Sequence, residues 1–278
     1  MSDGLPAEAR AWLRRARPRP NARVRLLCFP HGGGAASAYK RWTGLLPDDI
    51  ELSVVQYPGH EDRVTEPLVE DVRRISSHAA EAVGLLLDRP FALYGHSMGA
   101  LVAFETALVL ERRGTAPAAL IVSGMPAPQR TRPGTVHTGT DTEVIAELRR
   151  LAGVSEELLA DPGMREIIVP VSRNDYGAVE RYRHRPGDAV TTPITVHRAS
   201  GDPELSAGEA VAWADVTTGG LHERVFPGSH FHVFEDPGPV IADFVSTLAP
   251  ESVPRQDHDS HRGHNATDAD RFDRRESL

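Results

Sequence analysis

The chain has 278 residues, enough to bury the core of one large α/β domain, a class that reaches roughly 250 residues as a single unit. Hydrophobic residues make up 40% and charged residues 25%, and the formal net charge of -8 argues against a nucleic-acid partner, which needs a basic face. The single cysteine, Cys28, excludes an internal disulfide framework.

The first 22 residues are interpreted as an N-terminal leader ahead of a domain that we place at residues 23–250. The leader carries several arginines and lacks an apolar core of signal-peptide length. No apolar run in the chain approaches the roughly 20 residues that a transmembrane helix needs. We therefore expect a cytoplasmic protein, monomeric by default, with no membrane partner.

Strand and helix patterns alternate along the first third of the chain. A buried strand is predicted at Val24 to Phe29, and it runs into the glycine-rich loop Pro30 to Gly34. A short helix at 38–46, a strand at 51–57 and a helix at 69–87 follow. This alternation indicates a mostly parallel sheet that is covered by helices on both faces.

The pentapeptide Gly95 to Gly99, with the sequence GHSMG, stands between a predicted strand and a predicted helix. A Gly-x-Ser-x-Gly sequence in that setting is typical of the nucleophile elbow of α/β-hydrolases, where a strained serine presents its hydroxyl above the sheet. An ordinary glycine-rich turn is the alternative. The context favours Ser97 as a nucleophile, in an α/β-hydrolase fold with a mostly parallel central sheet flanked by helices.

The alternation breaks after a further strand at 118–123, and a helical insertion of about residues 126–188 follows. Its three helices are predicted at Asp141 to Leu151, Glu156 to Ala160 and Met164 to Arg181. Helices inserted after this strand lie at the carboxyl edge of the sheet, where α/β sites form. We interpret the insertion as a lid; a peripheral insertion without a gating role is the alternative.

A nucleophilic serine needs a base, and the base needs a carboxylate that orients it. In α/β-hydrolases the order along the chain is Ser, then Asp or Glu, then His. His230 follows a strand predicted at 222–226 and a Pro-Gly turn, so it lies on a loop at the sheet edge. His222 begins that strand and is expected to face solvent, and His232 is the rival base two residues on.

Asp202 is the preferred acid, because it directly follows the strand predicted at 193–199. The other candidates are Glu204, Asp215 within a helix, and Asp236 at the start of a terminal helix. An oxyanion formed on attack by Ser97 also needs preorganised donors. One is the backbone N–H of Met98, after the nucleophile, and the other comes from the glycine loop after the first strand.

The segment 251–278 is polar and of mixed charge, and we expect it to be a disordered tail. Its three histidines, His258, His261 and His264, suggest a metal site, but a solvated tail is the favoured interpretation. We therefore predict no metal.

Six separated motifs resemble those of the type II thioesterases that accompany polyketide synthases and nonribosomal peptide synthetases. The resemblance covers about residues 22–248. The motifs are Phe29 to Gly34; Gln56 to Arg63; Gly95 to Gly99; Ser172 to Tyr176 with Glu180 to Tyr182; Asp202-Pro203 with Glu209, Ala210 and Trp213; and Gly228 to Phe231.

The resemblance implies Ser97 as nucleophile, His230 as base, Asp202 as acid, and the N–H groups of Gly32 and Met98 as the oxyanion hole. It also implies hydrolysis of acyl groups from the phosphopantetheine arm of acyl or peptidyl carrier proteins through an acyl-Ser97 intermediate. Removal of aberrant chains in this way restores a stalled synthase. No cofactor is required, since the phosphopantetheine belongs to the substrate.

Three other functions stay open on the sequence. A carboxylesterase acting on small free esters has the same triad. An acyl-transferring or cyclising thioesterase is less expected in a chain with its own start methionine and no upstream carrier domain. A carrier-binding module with a decayed site is opposed by the complete Ser97, Asp202 and His230 set.

Overall fold

The computed structural model describes residues 5–248, which contain one seven-stranded sheet. The strands are β1 (Leu13–Arg14), β2 (Val24–Phe29), β3 (Ile50–Val55), β4 (Phe91–His96), β5 (Ala119–Ser123), β6 (Ile194–Ala199) and β7 (Leu221–Phe226). The α-helices are α1 (Ala7–Arg10), α2 (Trp42–Leu45), α3 (Val72–Gly84), α4 (Met98–Arg112), α5 (Asp141–Leu151), α6 (Glu156–Ala160), α7 (Pro162–Arg181), α8 (Ala207–Val211), α9 (His232–Glu235) and α10 (Pro237–Thr247). Short 3₁₀ helices lie at Ala36–Tyr39, Glu61–Arg63, Pro128–Arg130, Val136–Thr138 and Ala212–Val216.

The sheet order is β1-β3-β2-β4-β5-β6-β7, and every pair is parallel except β1 with β3. Every residue of β2, β3, β4 and β5 is buried, because helices cover both faces of the sheet. The predicted fold class is therefore confirmed: a mostly parallel central sheet flanked by helices, as in α/β-hydrolases. Parallel order also places the loops that follow the strands at one edge.

Alternate side chains of each strand enter two separate cores. On β2, Leu27 and Phe29 pack with α1, α3 and α4, whereas Leu26 and Cys28 pack with α2 and α10. Cys28 is fully buried, as the apolar run around it predicts, and burial raises the pKa of its thiol.

The N-terminal segment is part of the domain, which corrects its interpretation as a leader. Leu5, Ala9 and Leu13 are buried in the core beside α3. Leu13 pairs with Val55, so β1 extends the sheet by an antiparallel edge strand. These elements escape periodicity analysis because α1 has four residues and β1 only two.

The helical insertion consists of α5, α6 and α7 between β5 and β6. The first two helices have the predicted bounds, and α7 begins at Pro162, two residues before the predicted start at Met164. The earlier start follows from its cap, since Asp161 accepts a hydrogen bond from the Met164 amide at 3.1 Å. Val144, Leu148, Leu159 and Val169 form a small core within the insertion.

Two other predicted helices differ in extent. The helix predicted at 69–87 is α3, which begins at Val72 because the Asp71 side chain caps it through the Arg74 amide at 2.8 Å. The helix predicted at 38–46 is divided into a 3₁₀ turn and α2. The predicted tail at 251–278, with its three histidines, lies outside the described residues.

Between residues 5 and 248, no helix combines the length and apolarity that crossing a membrane requires. Over the same residues, no three His, Cys, Asp or Glu side chains are grouped so that they would hold a metal ion.

Candidate active site

Ser97 occupies a strained turn between β4 and α4. Its backbone has φ 52° and ψ −125°, a positive φ that non-glycine residues rarely adopt. Two backbone hydrogen bonds hold the turn: the Ser97 amide donates to Ser123 O at 2.8 Å, and the Ala100 amide donates to Ser97 O at 2.8 Å. This is the geometry of a nucleophile elbow.

The two glycines of the pentapeptide are required by close backbone approach. A Cβ on Gly95 would lie 2.2 Å from Gly99 O, and a Cβ on Gly99 would lie 2.0 Å from Phe29 O. Both distances are far below a van der Waals contact, so no side chain fits at either position. The sequence requirement around Ser97 thus has a direct steric cause.

Asp202 and His230 form a buried pair on neighbouring loops at the carboxyl edge of the sheet. Nδ1 of His230 lies 3.0 Å from both Asp202 carboxylate oxygens, and the two side chains are 2% and 0% exposed. The Glu204 amide also donates to Asp202 Oδ1 at 2.8 Å. These contacts fix the imidazole so that Nδ1 faces the Asp202 carboxylate and Nε2 is not engaged by it.

Nε2 of His230 is buried and has no hydrogen-bond partner within residues 5–248. Ser97 and His230 line the same cavity, but the structure contains no hydrogen bond between the Ser97 hydroxyl and Nε2. In enzymes without substrate such bonds are often long and tighten only when the substrate binds. The three predicted triad residues therefore meet at one cavity, with the acid and base already paired.

The two other candidate bases, His222 and His232, lie in different surroundings. His222 is exposed on β7, as expected. His232 begins α9, where its Nδ1 lies 3.2 Å from Ser229 O and its ring stacks on Phe226. Neither histidine is paired with a carboxylate from the described residues 5–248, unlike His230.

The rival acids also lie apart from His230. Glu204 forms an ion pair with Arg150 at 2.5 Å. Asp215 is exposed in the 3₁₀ helix after α8, and Asp236 lies at the junction of α9 and α10. Only Asp202, among the four candidates, contacts the His230 ring.

The two predicted oxyanion donors, Gly32 and Met98, both border the cavity beside Ser97. The Met98 N–H is in the first turn of α4, where amides lack an intrahelical acceptor. A Cβ on Gly32 would lie 3.9 Å from Met98 Cβ, so the two backbones are close neighbours. The next amide, of Gly33, is already used, because it donates to Asp175 Oδ2 at 2.7 Å.

Asp175, on α7, and His60, after β3, are site residues that the sequence reasoning did not assign. Their side chains lie 2.9 Å apart, with the carboxylate against the glycine loop. Both belong to motifs that carry the type II thioesterase resemblance, and that was the available signal. Nothing in their spacing, 115 residues apart, indicated that they meet.

Two further histidines surround His230. The His96 ring centroid lies 4.9 Å from that of His230, and the His31 centroid lies 6.1 Å from that of His96. Burial, with the charge of His230, lowers the pKa of His31 to about 4 and that of His96 well below its usual value. Both rings are therefore neutral near pH 7, and neither repels a proton that His230 takes up.

The cavity has a volume of about 250 Å³ and lies between the sheet edge and the insertion. Leu148, Leu151, Val154, Tyr176 and Val179 of the insertion supply apolar walls over the Ser97 side. The inserted helices thus cover the reacting residues, which is the position that the lid interpretation requires.

Comparisons with known proteins agree with this geometry. The Thioesterase domain family matches residues 24–248. Thioesterase PikA5 of Streptomyces venezuelae is 39% identical over 231 residues, covering 82% of each chain. The structure of the type II thioesterase BorB from the borrelidin biosynthetic cluster superposes with a TM-score of 0.79 at 38% identity, over 85% of this chain and 97% of that one. The structure of RedJ, a thioesterase of the prodiginine pathway in Streptomyces coelicolor, superposes with a TM-score of 0.78 at 34% sequence identity, over 84% of this chain and 94% of that one.

Proposed function

This chain belongs to the Thioesterase domain family, and we propose that it hydrolyses acyl groups from the phosphopantetheine arms of acyl or peptidyl carrier proteins. The observation that carries the proposal is the cavity that Ser97 and His230 share under the helical insertion, with Asp202 bonded to the far side of the imidazole. PikA5 and BorB, which resemble the chain over most of its length, are thioesterases, and BorB is of type II.

The first half-reaction acylates Ser97. Nε2 of His230 takes the hydroxyl proton as Oγ attacks the thioester carbonyl carbon, and Asp202 stabilises the resulting imidazolium through Nδ1–H. The carbonyl oxygen becomes an oxyanion that accepts hydrogen bonds from the Gly32 and Met98 amides. Collapse of this intermediate breaks the carbon–sulfur bond, and His230 returns the proton to the departing pantetheine thiol.

The second half-reaction releases the acid. A water molecule gives its proton to His230 and attacks the acyl carbonyl, passing through an oxyanion at the same two amides. Collapse breaks the bond to Ser97 Oγ, which takes the proton back from His230. The products are a free carboxylic acid and the original enzyme, so the reaction needs no metal or redox cofactor.

The size and the apolar lining of the cavity support an acyl thioester presented on a narrow arm. Its volume of about 250 Å³ suits a short or narrow acyl chain, and apolar side chains of the insertion line it. A long, thin pantetheine arm reaches a serine inside such a cavity without moving the carrier protein itself into the site. Removal of short or stalled acyl chains from a polyketide or peptide synthase is the role that follows.

A panel of matched substrates tests this function. Wild type and Ser97→Ala are assayed with acyl-pantetheine thioesters, acyl carrier protein, and the corresponding oxygen esters, and the products are analysed. We expect free linear acid from the thioesters and a higher kcat/KM on the carrier protein. Preference for the oxygen ester would support a carboxylesterase, a lactone or ester product would support acyl transfer, and unchanged cleavage by Ser97→Ala would overturn the proposal.

A further inference from the structure

We infer that Asp175 and His60 are positioning residues for the glycine loop Pro30 to Gly34, called the oxyanion loop below because it supplies the Gly32 amide. Through them, helix α7 of the insertion is connected to the oxyanion hole. The inference rests on the proposed function, since it concerns the loop that supplies the Gly32 amide. It assigns a role to two motifs that the triad and the hole leave unused, the segment Gln56 to Arg63 and the segment Ser172 to Tyr176.

Asp175 contacts the oxyanion loop directly. Its Oδ2 accepts the Gly33 amide at 2.7 Å and faces His60 Nε2 at 2.9 Å, while Oδ1 accepts Asn174 Nδ2 at 2.9 Å. The Asp175 and His60 side chains are 1% and 3% exposed. Buried carboxylate hydrogen bonds of this kind are short and strong, so the loop is held at a defined place.

The hydrogen bonds of His60 indicate a charged ring. Its Nδ1 lies 2.9 Å from Pro58 O, a carbonyl that only accepts, so Nδ1 carries a proton. Its Nε2 faces the Asp175 carboxylate, which also accepts. Burial works against the charge, but the Asp175 carboxylate and the Pro58 carbonyl outweigh it and raise the pKa of His60. The pair is thus a buried ion pair.

The glycine loop transmits the position of Asp175 to the proposed donor. Gly33 has φ +74°, a left-handed conformation that glycine adopts without strain, and its amide is committed to Asp175. A Cβ built on Gly32 would lie 3.3 Å from Asp175 Cβ, so the side chain also packs against that residue. A shift of Asp175 therefore moves the Gly32 peptide, whose N–H is required near 3 Å from the developing oxyanion.

The loop after β3 holds the other side of the oxyanion loop. Gln56 accepts the Ala36 amide at 2.8 Å and donates to His60 O at 2.9 Å. The Tyr57 hydroxyl donates to Pro30 O at 3.0 Å. Asp175 and His60 thus complete a set of hydrogen bonds that joins three elements to one another: the loop after β2, the loop after β3 and α7.

A second carboxylate–histidine pair on the same helix offers a matched control. Glu180 of α7 accepts the Val136 and His137 amides at 3.0 and 3.1 Å, and its carboxylate also contacts Nδ1 of the His137 ring. This pair fixes a segment of the insertion at the far side of the cavity, and none of its hydrogen bonds within residues 5–248 reaches the glycine loop. Replacement of either histidine removes one carboxylate–histidine contact, but only His60 is linked to the oxyanion hole.

The test compares His60→Gln with His137→Gln, and Asp175→Ala with Asp175→Asn, in the full-length protein. Turnover is measured with an acyl-pantetheine thioester, and affinity is measured for an alkylboronic acid, which forms a tetrahedral adduct on the serine. We expect His60→Gln and Asp175→Ala to lower kcat by about 10- to 100-fold with KM within about threefold. Boronate affinity should fall in parallel, Asp175→Asn should recover part of both, and His137→Gln should leave both within about threefold.

The double variant His60→Gln/Asp175→Ala covers the case in which a single variant fails to fold. Removing both charges avoids the unpaired buried charge that makes single removal costly. The inference would be overturned if the folded His60 and Asp175 variants kept the wild-type kcat and boronate affinity and Ser97→Ala still abolished turnover. A fall in kcat with unchanged boronate affinity would also contradict it. Turnover retained by Ser97→Ala would instead overturn the proposed function.

Discussion

Two histidine–aspartate pairs lie at β6 and the loop that follows it, and in both the imidazole is buried. His197, on the strand, has Nε2 3.1 Å from Asp243 Oδ2 and Nδ1 3.5 Å from the Tyr94 hydroxyl. Asp202, just past the strand, holds only Nδ1 of His230 and leaves Nε2 without a partner among the described residues. Both ring nitrogens of His197 therefore have a partner, whereas Nε2 of His230 has none in the described part of the chain and His230 lines the cavity.

The difference shows that a buried histidine–aspartate contact does not by itself identify a catalytic pair. Burial lowers the pKa of His197, and its hydrogen bond, with Arg224, lowers the pKa of Asp243, so this pair is neutral imidazole with carboxylate near pH 7. It joins β6 to α10, away from the cavity. His230 differs from His197 because it combines a carboxylate on Nδ1 with an Nε2 that is unpartnered within residues 5–248, at the cavity that the strained Ser97 lines.

The largest expected effect is the loss of the nucleophile. Ser97→Ala should lower kcat by about 10⁴- to 10⁶-fold, since loss of a triad serine leaves only binding and the oxyanion hole. Stability should change little or rise, because the turn at Ser97 is held by backbone bonds. Steady-state thioester hydrolysis and thermal unfolding of the same preparation measure both. Residual turnover above one part in about a thousand would argue for another nucleophile.

Replacement of the acid tests the first pair. Asp202→Asn should lower kcat by about 10³- to 10⁴-fold, because an amide favours the wrong imidazole tautomer while the volume is kept. The pH–rate profile of wild type and variant, taken with saturating thioester, measures the effect. A loss of less than about tenfold would mean that another group orients His230.

Replacement of the acid in the second pair is the matched comparison. Asp243→Asn should leave kcat within about threefold of wild type and lower the free energy of unfolding by about 1–3 kcal/mol, since it weakens a partly buried hydrogen bond and an ion pair with Arg224. Urea unfolding and the same hydrolysis assay give both values. A fall in kcat comparable to that of Asp202→Asn would contradict the conclusion that the His197–Asp243 pair has only a structural role.

A smaller effect is expected from the neutral histidines beside His230. The pKa of His31 is about 4 in the folded protein and near 6.5 when unfolded, so below pH 6.5 the unfolded chain binds a proton that the folded chain does not. His31 thus contributes stability that is present above pH 6.5 and is lost as the pH falls toward 4. Between pH 7.5 and 5 its share is up to about 2 kcal/mol.

The His31→Phe variant isolates that share, because it keeps an aromatic ring among Phe231 and Phe234 and removes the titration. Unfolding free energies at the two pH values should differ by about 2 kcal/mol less in the variant than in wild type. An identical pH dependence in both proteins would show that His31 is not held neutral.

Much of the fold was predictable from local patterns. The parallel strands and the helices of the insertion follow from apolar runs and helical periodicity, and the GHSMG sequence indicates the strained turn at Ser97 because its glycines have a steric role there. The proposed acid and base, Asp202 and His230, follow from chain order and from their place after β6 and β7. These features depend on segments of a few residues, which is the range that pattern analysis reaches.

What was missed depends on contacts between distant segments. The edge strand β1 is two residues long and is defined by its pairing with β3. The His60–Asp175 pair depends on two loops and one helix meeting at the sheet edge, and no local sequence pattern encodes their contact. The exact starts of α3 and α7 depend on the caps Asp71 and Asp161, which are visible in the sequence but compete with nearby alternatives.

The most direct test of the account is the rate at which a fluorophosphonate modifies Ser97 in wild type, Asp202→Asn and Asp243→Asn, followed by mass spectrometry of the labelled peptide. We predict labelling at Ser97 alone, a rate at least about 100-fold lower in Asp202→Asn, and a wild-type rate in Asp243→Asn. Labelling at another residue, or equal rates in the two aspartate variants, would contradict it.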